Sequence, residues 1–433
     1  MSFCQNELSK THKLIIGDNY DALLNLSISY KNKIDVIYID PPYGKDDMGE
    51  FAETNYNNAI TRDNLLSMLY PRLILARQLL TDEGVIFCSI DDRNQAYVKC
   101  LFDEIFGEKN FIVNMVWKSK SGGGNDSKKI AIDHEYVLVY SKDQNSVEIK
   151  LDKNAIVTTN YAYTDEKGNY SRDRLDKQSL GYQESLDFPI VGTDGKVYTV
   201  EHKDPQNKVA RWRWSEETVA ENYEDLIFDY PYVYTKNYEK EAHKPRSLMI
   251  DERFGRTRTG GTLLKSILRI KKFQYPKSVQ MMKYLIEISS NPNSIVLDFF
   301  SGSGTTGQAV LELNKEDGGN RTFILCTNNE KTDMNPKGIA IDVTSKRLKR
   351  VMTGSCYDGT NDFEWIKKNS PLGDNLDVYE IAEVSNSEQS DGKSAFDVID
   401  ENLYGELKLT PKDKIKWVCE NFSVTQKYLE DKQ

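Results

Sequence analysis

The stretch IDVIYIDPPY, Ile34–Tyr43, decides the fold. Its first six residues are largely apolar and β-branched, the pattern of a buried strand. The strand stops at Asp40-Pro41-Pro42-Tyr43. The tetrapeptide therefore stands at the carboxyl end of a strand, the edge where ligands bind in doubly wound α/β sheets.

Outward from it, strand and helix patterns alternate. Lys13–Ile16 reads as a strand ending in Gly17-Asp18-Asn19, and Asp21–Leu26 has helical spacing. Leu65–Leu80 is a long amphipathic helix, Gly84–Ile90 a buried strand, and Ala96–Phe106 a helix ended by Gly107. Phe111–Trp117 and Tyr136–Tyr140 are further strands. This alternation predicts an α/β domain over residues 1–150 with a doubly wound, mostly parallel sheet. Near 150 the chain becomes polar and turn-rich, with ten tyrosines between 161 and 238. With Trp212 and Trp214, it reads as a separate, mostly β or irregular insertion over 151–258. The α/β texture returns over 259–352. Ser278–Ser289 and Thr305–Leu313 are helical, Ser294–Leu297 and Arg321–Cys326 are strands, and Val343–Met352 is a basic helix. Residues 353–433 form an acidic C-terminal region with 17 Asp/Glu against 9 Lys/Arg.

A chain of 433 residues implies two to three domains. The six cysteines are scattered, without a C-x-x-C pair. That argues against a disulfide scaffold or a conventional zinc site, so no metal is expected, and it fits a cytoplasmic protein. No apolar run approaches the roughly 18 residues of a membrane span, and the N-terminus lacks a signal-peptide core. The net charge of −10 argues superficially against a nucleic-acid partner. Yet residues 236–272 hold 11 Lys/Arg against 4 Asp/Glu, a basic patch that the global charge hides.

The tetrapeptide suits a planar amine. Two prolines hold the flanking groups still, and Pro42 lacks an N–H, so carbonyl acceptors point into the site. An exocyclic amino group on a heteroaromatic ring is a poor nucleophile, because its lone pair is delocalised. Asp40 and the Pro41 carbonyl can accept its two hydrogens and localise that lone pair, while Tyr43 stacks on the ring. Catalysis would then be orientation and electrostatics. The plainer alternative is a proline-rich turn with a capping Asp.

Residues 297–307 read LDFFSGSGTTG. A strand ends at Asp298, glycines turn the chain, and a helix opens at Thr305. Glycines allow close backbone approach to a ligand, and a helix N-terminus favours negative charge. Gly302, Gly304 and Gly307 satisfy G-x-G-x-x-G, and Glu330 follows the next strand where a ribose-binding acid belongs. By itself the turn does not separate NAD from S-adenosylmethionine.

Together, the two sites resemble the amino-methyltransferases of DNA in their β-type order: DPPY, an inserted target-recognition region, then Phe300-Ser301-Gly302-Ser303-Gly304. The resemblance extends to the modification subunits of type III restriction-modification systems. It is carried by GDNYDALLNL (17–26), IDVIYIDPPYG (34–44), GVIFCSIDD (84–92), FDEIFGEKNFIVNMVW (102–117) and HEYVLVYSKD (134–143). TGGTLLKSIL (259–268), FQYPKSVQMMKYLI (273–286), VLDFFSGSGTT (296–306), EDGGNRTFIL (316–325) and VTSKRLKRV (343–351) complete it.

The resemblance implies a Rossmann-like methyltransferase fold with circularly permuted motifs, a target-recognition insertion and a C-terminal extension. It implies transfer of a methyl group from S-adenosylmethionine to N6 of a flipped-out adenine in double-stranded DNA. Cytosine N4 is the alternative base, and a non-catalytic DNA-recognition subunit the alternative class. Asp40, Pro41, Pro42 and Tyr43 become the catalytic set. Asp298, Phe300, Gly302, Gly304 and Thr305 become the cofactor loop, with Asp18 near the adenine, Glu330 at the ribose, and Phe273 and Lys277 beside the methionine end. The family's usual Pro-Lys-Pro is Pro276-Lys277-Ser278 here. Trp117 is either a second aromatic near the flipped base or a core residue. Lys244, Arg246, Arg253, Arg256, Arg258, Lys265, Arg269 and the segment Lys118–Lys129 are candidate phosphate contacts. A restriction subunit and a second copy of the chain are the implied protein partners, with a solitary methyltransferase as the alternative; the acidic C-terminal region, whose charge repels DNA, reads as a dimer or partner surface.

Overall fold

The computed structural model describes residues 1–6, 9–43, 62–122, 129–202, 204, 206–382, 410, 412, 413 and 416. The chain divides into two compact units: Met1–Lys150 with Arg246–Gln433, and Leu151–Pro245. The first unit opens with β1 (Thr11–Ile16), α1 (Asn19–Ser29), β2 (Ile34–Ile39), α2 (Arg62–Leu79) and β3 (Leu80–Ile90). It continues with α3 (Gln95–Phe106), β4 (Phe111–Trp117) and β5 (Glu135–Ser141). The second unit holds β6 (Tyr163–Asp165), β7 (Gly168–Arg174), β8 (Asp176–Lys177), β9 (Ile190–Val191), β10 (Val197–Tyr198) and β11 (Arg211–Trp212). It ends with α4 (Glu216–Glu221), β12 (Leu226–Asp229) and β13 (Tyr232–Tyr238). The first unit resumes with β14 (Leu248–Met249), α5 (Thr257–Leu268), α6 (Val279–Ser289), β15 (Ile295–Asp298) and α7 (Thr305–Asp317). It closes with β16 (Thr322–Thr327), α8 (Lys346–Thr353) and β17 (Asn375–Glu380).

Local chemistry sets these boundaries. Asp18 caps α1 by accepting from the Tyr20 N–H, and Ser278 caps α6 by accepting from the Met281 N–H. Gly107, at φ +90°, ends α3.

The first unit is built on a nine-stranded sheet ordered β14-β4-β5-β3-β2-β15-β16-β1-β17. Every neighbouring pair is parallel except the two made by β5. From β2 the chain moves outward to β3; from β15 it moves the opposite way, to β16. The topological switch point therefore lies between β2 and β15, where Tyr38 is in register with Asp298. Side chains of β2 alternate between two cores. Val36 and Tyr38 pack with Leu264, Leu285, Val310 and Leu348 of α5 to α8. Ile37 and Ile39 pack with Leu23, Leu69 and Phe102 of α1 to α3. Each fully buried aliphatic side chain contributes roughly 1.5–3 kcal/mol. The result is the doubly wound, mostly parallel sheet anticipated above.

The second unit carries a four-stranded antiparallel sheet, β12-β13-β7-β6, over a small core containing Leu175, Tyr198, Trp212 and Val233.

Two expected boundaries move. Residues 246–258, grouped with the insertion because they are polar, belong to the first unit: β14 pairs in parallel with β4. The stretch from 353 to Glu380 is not a separate region, since β17 pairs along the full length of β1. Composition hides both, because each strand is short or carries acidic residues on exposed positions. The basic helix at Val343–Met352 begins as a π-helical turn, Ala340–Ser345, and its Arg347 and Arg350 are buried. Most of the acidic C-terminal region, and residues 123–128 of the Lys118–Lys129 segment, lie outside the described residues.

Candidate active site

The carboxyl ends of β2, β15, β16 and β1 lie side by side. Because β5 runs the other way, its first residue, Glu135, reaches the same edge. A cleft of about 1380 Å³ opens there. It brings together Asp18, Asp40, Pro41, Pro42, Tyr43, Phe273, Lys277, Asp298, Phe300, Gly302, Thr305 and Glu330. Gly304 is not on the cleft wall. Its φ of +76° instead turns the chain into α7.

At the end of β2, four ionisable groups meet. Lys277 Nζ lies 2.9 Å from Asp40 Oδ1 and 2.8 Å from Glu135 Oε2. It also donates to the Tyr43 hydroxyl at 2.9 Å. That hydroxyl stands 2.9 Å from Asp40 Oδ1 and 3.0 Å from Glu135 Oε2. Burial raises the Asp40 carboxyl above the usual carboxylate range, against the pull of the Lys277 ammonium. Burial acts on Glu135 too, but Lys277 and hydrogen bonds from Lys277, Tyr43 and Ser119 outweigh it and hold that carboxyl low. Burial disfavours the Lys277 charge, yet the two carboxylates more than offset it and keep the ammonium protonated. Lys277, expected beside the methionine end of the cofactor, has its ammonium in the Asp40 group.

Across the switch point, Asp298 accepts from the Phe300 N–H at 3.0 Å and from the Thr306 hydroxyl. Burial pushes its carboxyl up to about 7. The turn that follows is cradled tightly: a Cβ on Gly302 would stand 3.1 Å from the Phe273 ring. Ser301 Oγ is buried without a hydrogen-bond partner among the described residues. On the core side the turn is held by Arg347. Its Nη1 donates to Thr305 Oγ1 (2.8 Å), Ser303 Oγ (3.1 Å) and Ser303 O (3.2 Å), and its Nε donates to Gln308 (2.9 Å). Burial pushes the guanidinium down to about 9, so it remains charged at neutral pH.

Asp18 is paired with Arg72 at 2.8 Å, and Arg72 also grips Asn19, whose side chain donates to Phe299 O. This ties the end of β1 to the turn after β15. Trp117 is fully buried, with Nε1 donating to Gly255 O at 3.2 Å, which makes it a core residue. In the basic stretch, Arg256 is spent on backbone carbonyls of Ile250, Asp251 and Gly255, and Arg253 lies over Phe254 and Tyr284. Arg258 and Lys265, two helical turns apart on α5, line the cleft and form no ion pair among the described residues.

The model of a family described as DNA methylase matches residues 34–343, which include both sites. The chain belongs to the DNA methylase family. It is 31% identical, over 74% of its length, to the type III restriction-modification enzyme StyLTI Mod subunit of Salmonella typhimurium. It is 28% identical, over 82% of its length, to the EcoPI Mod subunit of Escherichia phage P1. It spans 53% and 65% of those two proteins, respectively. With the type II methyltransferase M.KpnI of Klebsiella pneumoniae it shares 33% identity, covering 83% of this chain and 91% of that one.

For a DNA methylase, sequence reading overlooked three groups at this edge. Glu135 sits in HEYVLVYSKD, a segment that carries the resemblance and a strand pattern but shows no site residue by itself. Arg347 lies in a stretch whose local pattern shows only a basic helix. Arg72 lies in a helix read only for its amphipathic period. Each acts through partners far away in the chain, which no local pattern displays.

Proposed function

We propose that the chain transfers a methyl group from S-adenosylmethionine to N6 of a flipped-out adenine in double-stranded DNA. The observation that carries this is that Asp40, just past β2, and Asp298, in register with Tyr38 of β2, line a single cleft at the switch point with the glycine turn beside them. The residues suit that cofactor. Gly302 leaves room under Phe273, Ser301 Oγ lacks a partner, and the acids Asp18 and Glu330 lie at the ends of β1 and β16, where adenosine hydroxyls and amines find acceptors. When bound, S-adenosylmethionine supplies an electrophilic methyl group.

The chain's own residues orient and polarise the amine. Asp40 Oδ2 has no protein partner among the described residues and is placed to accept one amino hydrogen, with the Pro41 carbonyl as second acceptor. Accepting both localises the nitrogen lone pair. The Tyr43 ring, fixed through its hydroxyl, is the stacking face. The DPPY tetrapeptide supports adenine over cytosine, whose branch of the resemblance more often begins with Ser.

Base flipping costs a few kcal/mol, which contacts elsewhere must offset. Arg258 and Lys265 are among the cleft cations available for phosphates. The unit Leu151–Pro245 is the reader of sequence in this proposal. A restriction subunit is the protein partner suggested by the Mod relatives. A homodimer is supported by an exposed apolar stripe, Tyr20, Leu24 and Ile28 on α1 beside Tyr70 and Ile74 on α2. No helix among the described residues is long and apolar enough to cross a membrane, and a cytoplasmic location fits a DNA substrate.

The test is expression in a methylation-free bacterial host, followed by single-molecule sequencing of its DNA. N6-methyladenine in one recurring context is the expected result. N4-methylcytosine would overturn the base, and no modification from protein that binds S-adenosylmethionine would favour a recognition subunit.

A further inference from the structure

Glu135 belongs to neither motif, yet it is built into the Asp40 group. The two carboxylates are bridged twice, by Lys277 Nζ (2.9 and 2.8 Å) and by the Tyr43 hydroxyl (2.9 and 3.0 Å). Lys277 donates to the Tyr43 oxygen and stands within ion-pair distance of both carboxylates. Tyr43 has one hydrogen, which serves only one carboxylate at a time.

The bridged carboxylates differ in what else they touch. Both stand on the cleft wall, but Asp40 Oδ2 is unbonded among the described residues, whereas Glu135 also accepts from Ser119. The group of two carboxylates and one ammonium carries one net negative charge. A cation bonded to Asp40 weakens that carboxylate as an acceptor and repels the positive charge that develops on an attacking nitrogen. Productive engagement of an amino group therefore favours Lys277 and the Tyr43 hydrogen on the other carboxylate.

We propose that Glu135 is a positioning residue: it takes Lys277 and the Tyr43 hydroxyl when the target amino group engages Asp40, so that Asp40 acts as a full carboxylate. This rests on the methyltransferase reading above. With Glu135 neutral, Lys277 has Asp40 as its sole carboxylate, and the ammonium stays locked there. After methyl transfer the nitrogen must lose a proton, and Asp40 is the adjacent base. The N–H bond breaks, its electron pair returns to nitrogen, and an O–H bond forms on Asp40. Glu135 keeps Lys277 charged and close through that step.

The other ionisable groups facing Asp40 are Tyr38 of β2, Cys88 of β3 and Asp298 of β15. Tyr38 and Cys88 are buried and neutral, and all three are retained in the variants below.

The experiment compares the wild type with Glu135→Gln and Lys277→Gln. It measures kcat against pH, S-adenosylmethionine affinity, and the ionisation of Asp40 by ¹³C carboxyl NMR assigned through Asp40→Asn. In Glu135→Gln, kcat falls roughly 100-fold, as expected for a misplaced reacting group, while cofactor affinity holds. The Asp40 ionisation and the acid limb of kcat both move to lower pH, because a negative neighbour is gone and the ammonium remains. In Lys277→Gln they move to higher pH. An unmoved or raised Asp40 titration in Glu135→Gln overturns the proposal, as does equal loss of kcat and cofactor affinity, which marks a purely structural role. A wild type that binds S-adenosylmethionine without methylating DNA overturns the functional reading instead. The coupling is then decided by the carboxyl titration, which needs no turnover.

Discussion

The guanidinium of Arg347, buried on α8, donates to Thr305 Oγ1 at 2.8 Å and so ties the C-terminal helix of the sheet to the first residue of α7. The same side chain holds Ser303 and Gln308. Replacing Arg347 with Met strands several buried acceptors, each worth about 1–3 kcal/mol when unsatisfied. The variant should unfold at lower temperature and bind S-adenosylmethionine more weakly. Calorimetry and a binding titration check this, and a variant with native affinity would remove Arg347 from the account of the turn.

Gly302 has φ +46° and faces the Phe273 ring, which an added Cβ would approach to 3.1 Å. A non-glycine residue there costs about 1–2 kcal/mol in backbone strain and crowds the Phe273 ring. Gly302→Ala should raise the dissociation constant for S-adenosylmethionine more than it lowers thermal stability. Equal affinity for variant and wild type would show that the cofactor does not approach this glycine.

Asp40→Ala should abolish methyl transfer while leaving cofactor binding largely intact, since Asp40 is at the end of β2 and the glycine turn follows β15. Turnover comparable to wild type in a tritium-transfer assay would sink the assignment of the amine site.

Burial raises the Asp298 carboxyl to about 7, well above the unfolded value of about 3.9. The folded state therefore holds a proton that the unfolded chain has released. Its stabilising effect is complete below about pH 4 and is lost as the pH rises to about 7. Asp298→Asn removes this titration. The stability of the variant relative to wild type should climb across that window and level off above it. A gap that is constant between pH 4.5 and 8.5, followed by thermal unfolding, would contradict the buried, protonated carboxyl.

Arg258 and Lys265 line the cleft without ion pairs among the described residues. If each meets a phosphate, Arg258→Ala or Lys265→Ala lowers the salt slope of DNA binding by about 1 and weakens specific and nonspecific sites alike. A loss confined to the cognate sequence would instead make the residue a reader of bases.

Much of the fold is legible in the sequence, because its signals are local. Buried strands such as Ile34–Ile39 announce themselves by composition. Helix ends such as Gly107 and the turn at Gly302 and Gly304 rest on backbone chemistry that travels with the residue. Resemblance added the pairing of DPPY with the glycine turn. The edges of the domains were less legible, since β14 is two residues long and β17 is partly acidic.

The sequence by itself determined an α/β chain with a strand-end tetrapeptide, a glycine turn and an insertion between them, since periodicity and turn chemistry require only neighbours in the chain. Only the tertiary structure decided that Glu135 and Lys277 share the Asp40 site and that Arg347 is buried. The Tyr43–Glu135 and Tyr43–Lys277 contacts join residues 92 and 234 positions apart. They exist because β5 runs antiparallel and β2 lies beside β15, and the direction and order of strands are properties of the assembled sheet.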